Sequence, residues 1–151
     1  MGTGQIEMDA LGQELAQSRF TKLYRDEGRA ILEYALRRVE DSEDAADVVA
    51  ETFLVAWRRL AEVPIGDGAR LWLYGVARLT LANLHRAERR RTRLGRRLAE
   101  ALRTELSTQQ APRGEAAEVL RAMAELGDED RELLLLVTWE GLMPSDAARV
   151  L

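Results

Sequence analysis

The stretch DAADVVAETFLVAWRRL, residues 44–60, decides how the rest of the chain is read. Its apolar residues do not alternate, as a half-buried strand requires. Ala45, Val49, Thr52, Phe53, Ala56, Trp57 and Leu60 recur at three- and four-residue spacing, the period of an amphipathic helix. Just upstream, Asp41 or Ser42 can cap the helix, and Glu43, Asp44 and Asp47 complement the positive end of its dipole. Arg58 and Arg59 fall near the other end, where cations are favoured, and VPIGDGA (63–69) stops the pattern in a loop. The opposite face carries Asp47, Ala50, Glu51, Leu54 and Arg58 at i, i+3, i+4, i+7 and i+11. A leucine among acids and an arginine is a mixed surface suited to docking. Taken alone, the pattern favours an ordinary solvated face with one stray leucine.

Helix signals extend in both directions. Residues 19–39 repeat Phe20, Leu23, Tyr24, Ile31, Leu32, Ala35, Leu36 and Val39 at helical spacing, with Gly28 as a bend or break. A further helix over 70–94 has Leu73, Val76, Ala77, Thr80, Leu81 and Leu84 on its apolar side. Residues 1–17 read as a loose N-terminal arm, and LSTQQAPRGE (106–115) has linker composition. Beyond it, residues 115–126 are amphipathic through Ala116, Val119, Leu120, Met123 and Ala124, with Gly127 as a C′ residue and Asp128 as the next N-cap. RELLLLVTWE (131–140) is apolar nearly all round and predicts a central buried helix. Gly141 stops it, and Pro144 sits at an N1-like position of a last helix. The chain ends at Leu151, inside or just after that helix, which predicts a truncated chain or a fragment.

The 151 residues are 46% hydrophobic and 32% charged, with three prolines, so the expected fold is all-α with a buried core. No apolar run is long enough to span a membrane, and the N-terminus lacks the basic start and apolar core of a signal peptide. The absence of cysteine rules out disulfides and thiolate metal sites and fits a cytoplasmic protein. His85 is the single histidine, so no Cys/His ligand set exists; no Gly-rich phosphate loop or nucleophile elbow is present either. The expectation is therefore no catalytic residues, no metal and no cofactor.

Charge is segregated. Residues 1–63 carry a net −5 and residues 98–151 a net −6, whereas residues 69–97 hold nine arginines against one acid, a net +8. Seven of those arginines fall in HRAERRRTRLGRR (85–97), with Glu88 as the one acid among them. Like charges at i,i+4 repel, so this segment gains from an external polyanion. Charge runs are usually solvated faces or linkers; clustering in an otherwise acidic chain is what points to nucleic acid.

FTKLYRDEGRAILEYALRR (20–38), DAADVVAETFLVAWRRL and WLYGVARLTLANLHRAERRR (72–91) resemble, in order and spacing, conserved region 2 of extracytoplasmic-function sigma factors. These are the sigma-70-type initiation factors of bacterial transcription. LRAMAELGDEDRELLLLVTWEGLMPSDAARVL (120–151) resembles the opening of the family's region 4. The resemblance implies an N-terminal bundle of about four helices (18–97), a flexible linker (98–114) and an incomplete region 4 unit (115–151) that lacks the recognition helix for the −35 element.

It implies functions too. The helix at 42–62 would dock on the β′ clamp helices of core RNA polymerase, through Asp47, Glu51 and Leu54 with Ala50 and Arg58 beside them. The family often has Gln where Ala50 stands. The loop before the next helix, with that helix's first turns, would read flipped-out bases of the promoter −10 element and help open the duplex. The candidates are Asp67, Arg70, Arg78, Leu79, Asn83 and Arg86, with Trp72 and Tyr74 as stacking aromatics, although Trp72 better suits the core. Arg89, Arg90, Arg91 and Arg93 would hold phosphates, supplying affinity and position rather than sequence choice. The family commonly has Asn at Leu79 and Asp at Asn83. The linker threads polymerase near the template path in the family, and an anti-sigma protein holds many members inactive. A different reading is a helical protein-interaction module, a degenerate or regulator-bound sigma relative without promoter recognition of its own. Ala50, Leu79 and the missing recognition helix favour it; the +8 segment does not.

Overall fold

The computed structural model describes residues 2–89, 97–98, 101–102 and 114–151. Its elements are α1 (Thr3–Leu36), α2 (Ser42–Arg58), a 3₁₀ turn (Leu60–Glu62), α3 (Gly68–Arg89), α4 (Glu115–Glu125), α5 (Asp128–Thr138) and α6 (Pro144–Val150). No strand occurs among the described residues, so the fold is all-α. The region before residue 90 contains three α-helices and a 3₁₀ turn, where four helices were expected. The chain forms two compact units, Met1–Leu81 and Ala82–Arg149, so their boundary falls inside α3.

The first unit is built on α1, 34 residues long. Residues 3–17 are helical, which corrects the loose arm expected there. They lack a core-facing stripe, yet Gln, Glu, Leu, Met and Ala are good helix formers, and the segment runs directly into a helix that is packed. Ile6, Met8, Leu11 and Leu15 on it are all exposed. Gly28 does not break the helix, and a Cβ there would rest in ordinary contact with the Tyr24 ring at 3.7 Å.

Asp41 caps α2: its Oδ1 accepts the Glu43 N–H at 2.9 Å, and Glu43 and Asp44 lie in the first turn. The buried side of α2 is Ala45, Val48, Thr52, Phe53 and Ala56. Val48 takes the place expected for Val49. The Thr52 hydroxyl donates to the Val48 carbonyl at 2.7 Å, which makes its burial tolerable. From α1 come Ile31, Tyr34 and Ala35, and from α3 Ala69, Leu73, Tyr74, Val76, Ala77 and Leu81, all buried. Tyr34 and Tyr74 meet with ring centroids 5.1 Å apart, and the Arg38 guanidinium lies over Tyr34 at 3.6 Å.

In the second unit, Arg131 of α5 donates to the carbonyls of Met123 and Leu126 at 2.9 Å and of Ala124 at 3.3 Å, closing the open end of α4. Gly127 has φ −61° and is the N-cap of α5, so it is not the left-handed C′ residue expected, and Asp128 is the first helical residue rather than the cap. Gly141 does turn the chain, at φ +69°, and Pro144 opens α6. The expected burial of α5 is not observed. Leu136 is fully covered, but Leu133, Leu134 and Trp139 are exposed. A helix apolar on every side needs neighbours on every side, and α4 buries no residue of its own.

Candidate functional site

Two surfaces of the first unit and one face of α3 hold the residues singled out above. On α2, Asp47, Ala50, Glu51, Leu54 and Arg58 are all exposed. They share one face because Ala45, Val48, Thr52, Phe53 and Ala56 take the other. Leu54 borders a shallow apolar recess of about 450 Å³ between α1 and α2, lined by Phe20, Tyr24, Ala50, Phe53, Leu54 and Trp57. The aromatic rings meet edge to face: Phe20–Phe53 at 6.2 Å, Phe20–Trp57 at 5.3 Å and Tyr24–Phe53 at 5.0 Å. Trp57 was expected in the core. It stands on the rim, 40% exposed, because Phe20 covers only part of so large a side chain. Leu54 is therefore part of an apolar patch bordered by carboxylates, and the recess was not legible in α2 alone because Phe20 and Tyr24 of its lining come from α1.

The second surface is the loop joining α2 to α3. Val63 and Ala69 are buried at its two ends, while Ile65 is 91% exposed and Asp67 is also exposed. Gly66 has φ +82°, a conformation that disfavours any residue with a Cβ. A Cβ on Gly68 would come within 3.0 Å of Pro64 Cβ, so the backbone closes tightly there. Ile65 was missed by the sequence reading; its place between Pro64 and Gly66 was the available signal.

Along α3, Arg78, Leu79, Asn83 and Arg86 fall on successive turns of one face, opposite Leu73, Ala77, Leu81 and Leu84. Leu79 is 60% exposed, Asn83 and Arg86 are exposed, and Arg78 is half-buried. Tyr74 is 3% exposed and packs on Tyr34, so it cannot stack on a base as suggested. Trp72 is half-buried with the Arg59 guanidinium 5.6 Å from its ring. Arg70 lies off this face: its Nε donates to Glu27 Oε2 on α1 at 2.6 Å. That hydrogen bond raises the Arg70 pKa above its ordinary value. Arg89 ends α3. Arg90, Arg91 and Arg93 lie outside the described residues, as does nearly all of the expected linker. Among the described residues no group of three or more His, Asp or Glu side chains could hold a metal ion, and no helix is long and apolar enough to cross a membrane.

Residues 23–91, which include α2, the loop and α3, match the family Sigma-70 region 2. This stretch is a sigma-70 region 2 domain. Over 88 residues the chain is 41% identical to the ECF RNA polymerase sigma factor SigL of Mycobacterium tuberculosis, covering 56% of this chain and 49% of that protein. Over 66 residues it is 36% identical to the RNA polymerase sigma factor YlaC of Bacillus subtilis, covering 44% and 38% respectively. The chain is thus homologous to ECF sigma factors and spans about half the length of the first of these relatives. The region 2 match contains the exposed α2 face, the loop and the α3 face together.

Proposed function

We propose that the chain is a transcription initiation factor that binds core RNA polymerase and directs it to a promoter −10 element, without catalytic residues or a cofactor of its own. The observation that carries this reading is the exposed Asp47–Ala50–Glu51–Leu54 face beside the aromatic recess, on a sigma-70 region 2 domain. Carboxylates around an apolar patch suit a helical partner with basic and apolar side chains, and the β′ clamp helices are that partner. Arg58 lies on the same face. The loop with Asp67 and the α3 residues Arg78, Leu79, Asn83 and Arg86 would meet the unpaired −10 strand, with Arg70 holding the loop's end. Arg89, Arg90, Arg91 and Arg93 would hold phosphates and so fix position rather than sequence. Such a factor works in the cytoplasm, and an anti-sigma protein is a further expected partner. Residues 115–151 would form the start of a region 4 unit.

The test is co-elution of the chain with purified bacterial core RNA polymerase on a sizing column. Glu51→Arg should abolish it while circular dichroism shows an unchanged helical fold. Normal association of Glu51→Arg would overturn the docking assignment. The second reading, a protein-interaction module without promoter recognition, is favoured by one observation: at Leu79, 60% exposed, an apolar side chain stands where the family commonly has Asn. That module would show no salt-sensitive DNA binding.

A further inference from the structure

The loop between α2 and α3 is held at both ends by one helix. At its entry, Arg19 of α1 donates from Nη1 to the Leu60 carbonyl at 2.9 Å and from Nη2 to the Val63 carbonyl at 2.6 Å. At its exit, Glu27 of α1, with its side chain only 16% exposed, pairs with Arg70 at 2.6 Å. Arg19 and Glu27 lie two turns apart on α1, roughly 12 Å along its axis. Between these anchors the backbone has little freedom. Val63 and Ala69 are buried, Gly66 is left-handed, Gly68 closes on Pro64, and the Ala69 N–H donates to the Gly66 carbonyl at 3.1 Å. What is left outward is the tip, with Ile65 91% exposed and Asp67 beside it.

A loop that only connects two helices does not need a guanidinium fork on its backbone and a largely covered carboxylate on its far shoulder. Fixing a loop in advance removes the cost of ordering it when a ligand arrives. We propose that Arg19 and the Glu27–Arg70 pair are positioning residues: they hold the 63–68 loop in the shape that discriminates among single-stranded DNA bases, and Arg19 and Glu27 do so without touching the DNA. This rests on the promoter reading above. Arg70 then contributes to sequence choice through the loop, which accounts for its place off the exposed face of α3.

The experiment uses the full chain bound to core RNA polymerase and a pool of single-stranded oligodeoxynucleotides with a randomised centre. The bound fraction is sequenced, and affinity is measured for the preferred sequence and for a homopolymer. Glu27→Gln and Arg19→Gln should co-elute with polymerase as the unaltered chain does and bind the homopolymer equally. Affinity for the preferred sequence should fall about five- to tenfold, as expected for loss of one part-exposed hydrogen bond, and the preference should flatten. The exchanged pair Glu27→Arg/Arg70→Glu should recover most of the preference. Arg19→Lys, which keeps the charge and loses the fork, serves if Arg19→Gln does not fold; it too should flatten the preference. Full preference in the folded Glu27 and Arg19 variants would overturn the latch and leave the promoter reading standing. Failure of the folded exchanged pair to recover preference would also overturn it, because Arg70 would then act directly on DNA. An unaltered chain that binds polymerase but shows no base preference would overturn both.

Discussion

Among the described residues Tyr34 is the largest fully buried side chain, in contact with the Tyr74 ring and the Arg38 guanidinium. Replacing it with alanine should cost about 3–5 kcal/mol, the range for losing a large aromatic from a core, measured as a lowered denaturant midpoint with unchanged slope. The sequence reading did not select Tyr34. It selected Leu32 and Leu36, which are exposed, because hydrophobicity rather than the direction of the partner helix chose among neighbouring positions. The same ambiguity exchanged Val49 for Val48 on α2. The outward face of α2 was easier to read: five residues at helical spacing opposite an apolar stripe can lie in one direction only, and all five are exposed. Arg70 could not be placed from spacing, because its partner Glu27 is 43 residues away.

At the scale of elements, legibility followed caps and periodicity. α2 announced itself through Asp41, its acidic first turn and the arginines at its end. Gly141 and Pro144 marked the gap between α5 and α6 correctly. The start of α1 was missed although Met8, Leu11 and Leu15 recur at i, i+3 and i+7, and α5 was overestimated because apolar composition states a demand for cover without supplying it. In the arginine segment the question is whether the side chains read phosphates or bases. Replacing Arg89, Arg90 and Arg91 with alanine should weaken binding to all DNA sequences by about the same factor, measured by fluorescence anisotropy on several promoters. Loss confined to one sequence would mean that these arginines read bases rather than phosphates.

At the scale of the whole molecule, charge segregation was the most legible property. A net +8 between stretches of −5 and −6 would make any attraction to a polyanion local, against the repulsion of a net charge of −4. DNA affinity should therefore fall steeply with salt, with a log–log slope on the order of several units if most of those arginines meet phosphates. A flat dependence would argue against phosphate contacts. The linker composition leads to the expectation of a division after the arginine segment, whereas the two compact units of the fold part within α3. No local sequence signal marks such a boundary, because a continuous helix satisfies its own backbone on both sides of it.

Ile65 touches almost nothing in the folded chain, while the residues on either side are anchored. Selection for folding therefore has little hold on this position. Most side chains could replace the isoleucine with a stability change within about 0.5 kcal/mol. A lineage could exchange the tip residue repeatedly while inheriting the shoulders unchanged. The loop thus separates what must be kept from what can be tried, and under the proposed promoter reading new target preferences would arise there one codon at a time.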